Sequence, residues 1–363
     1  VNIGIYLLGS LGDTLVAVPA FWAVRHQYPQ ANIILYTDVA AGRSLVRSTD
    51  VLSGSGLVDE VVEYVSGDAS AGRFRKARGI GKLWQTIRSR RLDLLIYLVQ
   101  GYRDKPRVTR DLLFFRTCGI RRLIGFEGMP ATPAFQPGNL IRQPTQADQF
   151  LFRLAAGGLP VPPPCQGKSD LNLGPADFVC VSTWKSKTPD SGNRPWIAFG
   201  PGTKMPAKQW PIERFAEVGN QLIRDYDAWP VIFGGAEDRA AGSRLLETWG
   251  RGAMAAGELN VRAAAAALQS CLLYVGNDTG TMHLAASAGI PCVAIFSARD
   301  YPGLWEPYGV GHAVIRSEVP CAGCYAQRCP REDNLCMSRI GVASVLDACR
   351  KILDQKPGLV RVA

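Results

Sequence analysis

A continuous apolar run from Asn2 to Leu8 is followed by the turn Gly9-Ser10-Leu11-Gly12-Asp13, and then by Thr14 to His26, where apolar residues recur at helical spacing. An apolar run bounded by turn residues predicts a buried strand, and a 3.6-residue period predicts a helix, so the chain opens with a β-α unit. Ile33 to Tyr36, Val58 to Tyr64 and Leu92 to Leu98 repeat the strand pattern, with a helical stretch at Lys82 to Arg90. Between Gly157 and Pro195 the texture changes: Pro162-Pro163-Pro164 and Ser191-Gly192-Asn193-Arg194-Pro195 place an interdomain linker within this region. Beyond it, strands are expected at Trp196 to Gly200, Pro230 to Gly234, Leu272 to Gly276 and Cys292 to Phe296. Helices are expected at Pro211 to Arg224, Asp238 to Trp249, Val261 to Ser270 and Met282 to Gly289. Such alternation implies an α/β protein with parallel sheets covered by helices on both faces. The expected division is an N-terminal domain over residues 1–170, a C-terminal domain over 171–345, and a final helix and tail over 346–363.

Composition narrows the class. A chain of 363 residues exceeds one ordinary core, and 47% hydrophobic with 20% charged residues excludes global disorder. The formal net charge of +10 is concentrated, because Arg73, Arg75, Lys76, Arg78, Lys82, Arg88, Arg90 and Arg91 fall in one stretch without an acidic residue. That stretch reads equally as a solvated helix face or as a site for an anionic acceptor or membrane surface. No helix-turn-helix, zinc-finger or RNA-recognition pattern supports a nucleic-acid partner. Residues 1–24 are apolar but lack a basic leading region and contain Asp13, so they read as strand and helix rather than a signal peptide. No stretch offers about 18 uninterrupted apolar residues, so no transmembrane helix is expected.

Ten cysteines divide into two groups. Cys118, Cys165, Cys180, Cys271, Cys292 and Cys349 stand singly, mostly among apolar neighbours, as reduced thiols do. Cys321-x2-Cys324-x4-Cys329-x6-Cys336 is compatible with a structural thiolate metal site, a local disulfide or a reduced cluster. Its spacings are not those of a standard zinc finger or ferredoxin.

Three turns at strand ends carry candidate chemistry. Gly9 to Asp13 ends a strand and opens a helix, which aims free amides and Asp13 at the crevice above the sheet; the plainer reading of Asp13 is a helix cap. A G-x-G-x-x-G pattern is absent, which disfavours nicotinamide or flavin chemistry. Gly200-Pro201-Gly202-Thr203-Lys204, followed by Lys208-Gln209-Trp210-Pro211, offers hydroxyl, amide and ammonium donors suited to phosphates. In Gly276-Asn277-Asp278-Thr279-Gly280-Thr281-Met282-His283, the Thr279 and Gly280 amides at a helix start suit a diphosphate and Asp278 suits sugar hydroxyls, unless Asp278 or Thr279 merely caps the helix.

Taken in order, Gly12-Asp13 with Pro19-Ala20, Pro201-Gly202-Thr203, Lys208-Gln209-Trp210-Pro211, Gly234-Gly235-Ala236-Glu237-Asp238, Asn277 to Ala286 and Pro307-Tyr308-Gly309 resemble the motifs of glycosyltransferase family 9, the ADP-heptose:lipopolysaccharide heptosyltransferases. The resemblance implies a GT-B architecture, two Rossmann-like domains facing a cleft, with the acceptor on the first and ADP-heptose on the second. It implies inverting, metal-independent transfer of heptose to a hydroxyl of the lipopolysaccharide core, without a cofactor. By position Asp13 is the base. Thr203, Lys204 and Lys208 fall to the donor's phosphates, Glu237 to its ribose, Asp278 to its sugar, and Thr279 with Gly280 to its diphosphate. His283 is a ligand contact or a structural hydrogen-bonder, and Gly12, Arg73 and Arg75 are candidate acceptor contacts. A cytoplasmic enzyme follows, with peripheral contact at the inner membrane as an option. Leu7 stands where many members carry Lys or Arg, which weakens the assignment to the usual acidic acceptor. A protein or small natural-product acceptor, and a non-catalytic nucleotide-sugar binding protein, remain as alternatives. At a helix N-terminus the Asp13 carboxyl is expected below its ordinary pKa, a weak base acting mainly through position.

Overall fold

The computed structural model describes residues 1–39, 46–65, 73–100, 105–129 and 140–362, the side chains of 73–77 excepted. In chain order its first part runs β1 (Asn2–Leu7), α1 (Leu11–Gln27), β2 (Asn32–Val39), α2 (Ser48–Leu52), β3 (Glu60–Val65), α3 (Arg73–Ser89), β4 (Leu94–Tyr97), α4 (Lys105–Thr117), β5 (Arg122–Ile124) and α5 (Gln146–Ala156). The second part runs α6 (Pro175–Lys185), β6 (Trp196–Gly200), α7 (Ile212–Tyr226), β7 (Trp229–Ile232), α8 (Arg239–Trp249), β8 (Ala253–Met254), α9 (Val261–Leu268), β9 (Cys271–Asn277), α10 (Gly280–Ser287), β10 (Cys292–Phe296), β11 (Ala313–Arg316), α11 (Leu335–Ser338) and α12 (Val342–Leu353). None of these helices is long and apolar enough to cross a membrane.

The chain forms two compact units, one of Val1–Pro133 with Gln146–Asn172 and one of Ala134–Thr145 with Leu173–Ala363. In the first, five parallel strands lie in the order β3-β2-β1-β4-β5. In the second, six parallel strands lie in the order β11-β10-β9-β6-β7-β8. Each order reverses direction beside its first strand, and a parallel sheet places loops from neighbouring strands at one common edge, the usual seat of ligands. Residues 140–145 join the second unit: the Gln143 amide donates to the Pro302 carbonyl at 2.8 Å, and Arg142 pairs with Glu306.

Both cores follow from the apolar pattern. In the first, Tyr6 stacks between Tyr64 and Tyr97, and Tyr97 stacks on Phe126 at 4.3 Å. In the second, α7 buries Phe215, Val218, Gly219, Leu222 and Tyr226 along one stripe. Trp210 is buried and donates its indole N–H to the Ile340 carbonyl at 3.0 Å. Helix α3 starts at Arg73 rather than Lys82, because Gly79 and Gly81 interrupt the apolar period without ending the helix.

Candidate active site

In the first unit, the turn after β1 bends through Gly9 at φ +119°, a backbone region that side-chain-bearing residues rarely adopt. A Cβ there would also lie 2.2 Å from Asp13 Oδ2, so glycine makes room for the carboxylate. Asp13 is the third residue of α1 and accepts the Ser10 amide at 2.8 Å. The capping reading is thus partly right: one oxygen of Asp13 satisfies the helix start. Its carboxyl is nevertheless raised above 3.8, because desolvation outweighs the hydrogen bond from Ser10, and Asp38 adds repulsion. This corrects the expectation of a lowered value. Gly12 lies beside Asp13 in the first turn of α1. Helix α3 carries Arg73 and Arg75, but their side chains lie outside the described residues.

In the second unit, Gly200 at the end of β6 pairs with Gly276 on β9, and both lie against the Tyr274 hydroxyl; a Cβ on Gly200 would lie 1.9 Å from it. The next residue on β9, Asn277, is fully buried. Its Nδ2 donates to the Pro201 carbonyl at 2.8 Å and its Oδ1 accepts the Trp210 amide at 3.2 Å. Asn277 therefore ties both ends of the loop after β6 to the end of β9, and that loop carries Lys208.

Lys208 ends a short 3₁₀ turn, Pro206–Lys208. Its Nζ lies 2.6 Å from Asp278 Oδ2 and 3.9 Å from Asp300 Oδ2. Arg299 holds Asp300 at 2.5 Å and is itself fixed by the carbonyls of Tyr325 and Ala326. Arg316 donates to the carbonyls of Ser297 and Asp300. Two buried carboxylates are thus paired, Asp278 with Lys208 and Asp300 with Arg299, and the Arg316 guanidinium, bonded to backbone carbonyls, lies within electrostatic reach of both. At the start of α10, Thr279 makes no side-chain cap, and its hydroxyl is buried beside that of Tyr274. The amides of the first turn are left to a ligand, which weighs against the capping reading of this segment.

His283, one turn into α10, is buried, and desolvation pushes its pKa down to about 4 against the pull of Asp278. It is therefore neutral at pH 7 and meets the Trp305 ring edge-on at 6.5 Å. Thr203 accepts the Met205 amide at 3.2 Å, and Lys204 stands 3.7 Å from Glu237, both side chains more than half exposed. Asp238 accepts the Gly235 amide at 2.9 Å beneath that pair.

The second unit gathers Thr203, Lys204, Lys208, Glu237, Asp278, Thr279, Gly280 and His283 at the carboxyl ends of β6, β7 and β9. Asp300, Arg299, Arg316 and Asn277 were not singled out from sequence. The first two follow β10, a strand adjacent to β9, so the rule that ligand loops follow neighbouring parallel strands was the available signal. The ten cysteines are free, Cys321 and Cys324 exposed, and among the described residues no three His, Cys, Asp or Glu side chains converge as a metal-ligand set.

Residues 175–334 match the sequence profile of glycosyltransferase family 9 (heptosyltransferase). Lipopolysaccharide heptosyltransferase 2 of Escherichia coli K12 is 39% identical over 134 residues, 35% of this chain and 37% of that one, so the alignment spans little more than a third of the relative. Across 98% of the chain, the fold is similar to a glycosyl transferase family 9 protein of Veillonella parvula (TM-score 0.73, 22% identity, 97% of that chain). It is similar as well to E. coli ADP-heptose lps heptosyltransferase II (TM-score 0.66, 22% identity, 98% of this chain and 99% of that chain). With two Rossmann-like parallel sheets, the chain has a GT-B fold.

Proposed function

We propose that the chain is a member of glycosyltransferase family 9, whose profile matches residues 175–334, and that it transfers heptose from ADP-heptose to a hydroxyl acceptor, a sugar of the lipopolysaccharide core. The observation that carries this reading is the charge arrangement at the end of β9. A half-buried ammonium, Lys208, is held 2.6 Å from a buried carboxylate, Asp278, beside a helix start without a side-chain cap. A diphosphate is the ligand that such a cation and such amides suit, and a carboxylate one residue before Thr279 suits sugar hydroxyls.

In the proposed reaction the acceptor oxygen attacks the anomeric carbon and its proton passes to Asp13. The bond from that carbon to the diphosphate oxygen breaks, and ADP leaves with the electron pair. One displacement inverts the configuration. Lys208 and the Thr279 and Gly280 amides meet the charge that develops on ADP, with Thr203 and Lys204 as further phosphate donors and Glu237 toward the ribose. His283, neutral at pH 7, serves as a hydrogen-bonding group rather than a cation. The first unit takes the acceptor, with Gly12 and the basic α3 residues Arg73 and Arg75 attracting its acidic groups. The basic sequence of that segment also favours peripheral contact with an anionic membrane from the cytoplasmic side.

The test is incubation with ADP-heptose and a heptose-deficient lipopolysaccharide core, following ADP release and the mass of the acceptor. The expected product is heavier by one heptose, and Asp13→Ala lowers turnover about a hundredfold or more while ADP still binds. Binding of ADP-heptose without transfer to any core, peptide or small-molecule acceptor would replace this reading with that of a nucleotide-sugar binding protein.

A further inference from the structure

Thr279 is the N-cap residue of α10, a position where a threonine hydroxyl ordinarily turns inward and accepts an amide of the first turn. Here it makes no such bond. The Met282 and His283 amides turn to the Thr279 carbonyl at 3.1 and 3.3 Å, so the amide that a capping hydroxyl would take is that of Thr281. The group beside the Thr279 hydroxyl comes from β9.

Tyr274 is fully buried, and a Cβ on either Gly200 or Gly276 would lie 2.6 Å from Cζ of its ring. The ring therefore runs toward the carboxyl edge of the sheet across two positions kept clear by glycine. Its hydroxyl arrives where the loops after β6, β7 and β9 meet: the Thr279 hydroxyl is within hydrogen-bonding reach, and Asp238 and Asp278 are within electrostatic reach. Burial holds the phenol protonated, so it offers its neighbour both a donor and an acceptor.

We propose that Tyr274 is a positioning residue of the donor site, which engages the Thr279 hydroxyl, keeps that oxygen off the start of α10 and so leaves the Thr281 amide, with that of Gly280, open to a diphosphate. This rests on the reading of α10 as the diphosphate site. A side-chain cap and a phosphate oxygen compete for the same amide, so whatever holds the cap aside favours the ligand. Phenylalanine at position 274 would fill the same volume but leave the Thr279 hydroxyl without its neighbour. A buried hydroxyl in that state turns to the nearest open partner, the Thr281 amide.

Two variants test this. Tyr274→Phe removes only the phenolic oxygen, and adding Thr279→Val removes the oxygen that would cap while keeping the branched shape. The readouts are ADP affinity by titration calorimetry and solvent exchange of the Thr281 amide in ligand-free, ¹⁵N-threonine-labelled protein, its resonance assigned by its loss in Thr281→Ser. In Tyr274→Phe, ADP binds about fivefold more weakly and the Thr281 amide exchanges more slowly than in wild type. In the double variant both effects reverse, with ADP bound more tightly than by Tyr274→Phe alone. A plain packing role predicts the opposite, a loss that the second substitution leaves in place or deepens. Wild-type ADP affinity in folded Tyr274→Phe overturns the proposal, as does a double variant that binds no more tightly than the single one. If the wild type binds no ADP but exchange slows in Tyr274→Phe and recovers in the double variant, the hold on Thr279 stands and the donor-site reading falls.

Discussion

A carboxylate in the first turn of a helix gains about 0.5 kcal/mol from the amide dipoles, whereas enclosing it in protein costs about 2 kcal/mol or more. At Asp13 the second effect wins, and ionisation opposes folding. The sign follows directly: this group's contribution to stability is present below its ordinary value of 3.8 and is lost as pH rises through the higher folded value. Asp13→Asn is therefore expected to be inactive in transfer yet to melt about 2–4 °C higher than wild type at pH 7; an unchanged or lower midpoint in calorimetry refutes the strained-base account. His283 acts in the opposite direction. Its folded value, about 4, lies below the ordinary 6.5, so stability is present above 6.5 and is lost as pH falls toward 4. Burial also lowers His312, so His283→Gln is expected to shrink, not abolish, the fall in melting temperature between pH 6.5 and 4. Equal falls in wild type and variant would place the titrating group elsewhere.

At the scale of elements, site residues sit where strands end, and their placement depends on ties between loops. Asn277 is the clearest such tie. Replacing it by Ala leaves the Trp210 N–H and the Pro201 carbonyl without their partner in a buried setting, a loss of about 2–3 kcal/mol. Asn277→Ala should therefore lower the melting temperature by about 4–8 °C and weaken ADP binding about tenfold, since the loop holding Lys208 loses its anchor. Titration calorimetry showing wild-type ADP affinity in a folded variant would detach Asn277 from the donor site. Legibility differed between elements for physical reasons. Strands such as Trp196–Gly200 and Cys292–Phe296 coincide with uninterrupted apolar runs, because a parallel strand is buried on both faces. Helix α4 and strand β5 were not expected: α4 has basic residues on its exposed turns and β5 is only three residues long.

For the molecule as a whole, the two units divide the proposed labour, Asp13 in one and the donor residues in the other. The charges in the donor unit bear on the need for a metal ion. Sequence suggested a single carboxylate, Asp278, near the diphosphate, but folding brings Asp300 close as well. Both are already paired, Asp278 with Lys208 and Asp300 with Arg299, so neither is a vacant cation ligand, and the amides at the start of α10 are the proposed partners of the charge on ADP. Transfer is expected to survive EDTA with less than about a twofold change in rate, the fold being checked by circular dichroism. Loss of turnover restored by Mg²⁺ or Mn²⁺, with folding unchanged, would contradict this mechanism.

The order of strands and helices, the turns at their ends and the resemblance to glycosyltransferase family 9 were all readable along the chain. Each rests on residues close in sequence: an apolar run, a glycine beside a helix start, a motif of a few positions. Asp13, Lys208, Asp278 and Thr279 could be named for that reason. What the tertiary structure alone decided are pairings across long separations and the solvation of each group. Asp300 comes to Lys208 from 92 positions away because β10 lies beside β9 in the sheet, and Asp38 reaches Gly9 because β2 lies beside β1. The basicity of Asp13 belongs to the same class: a local rule for helix ends predicts its charge to be favoured, but the protein packed around it, supplied by distant segments, reverses the sign.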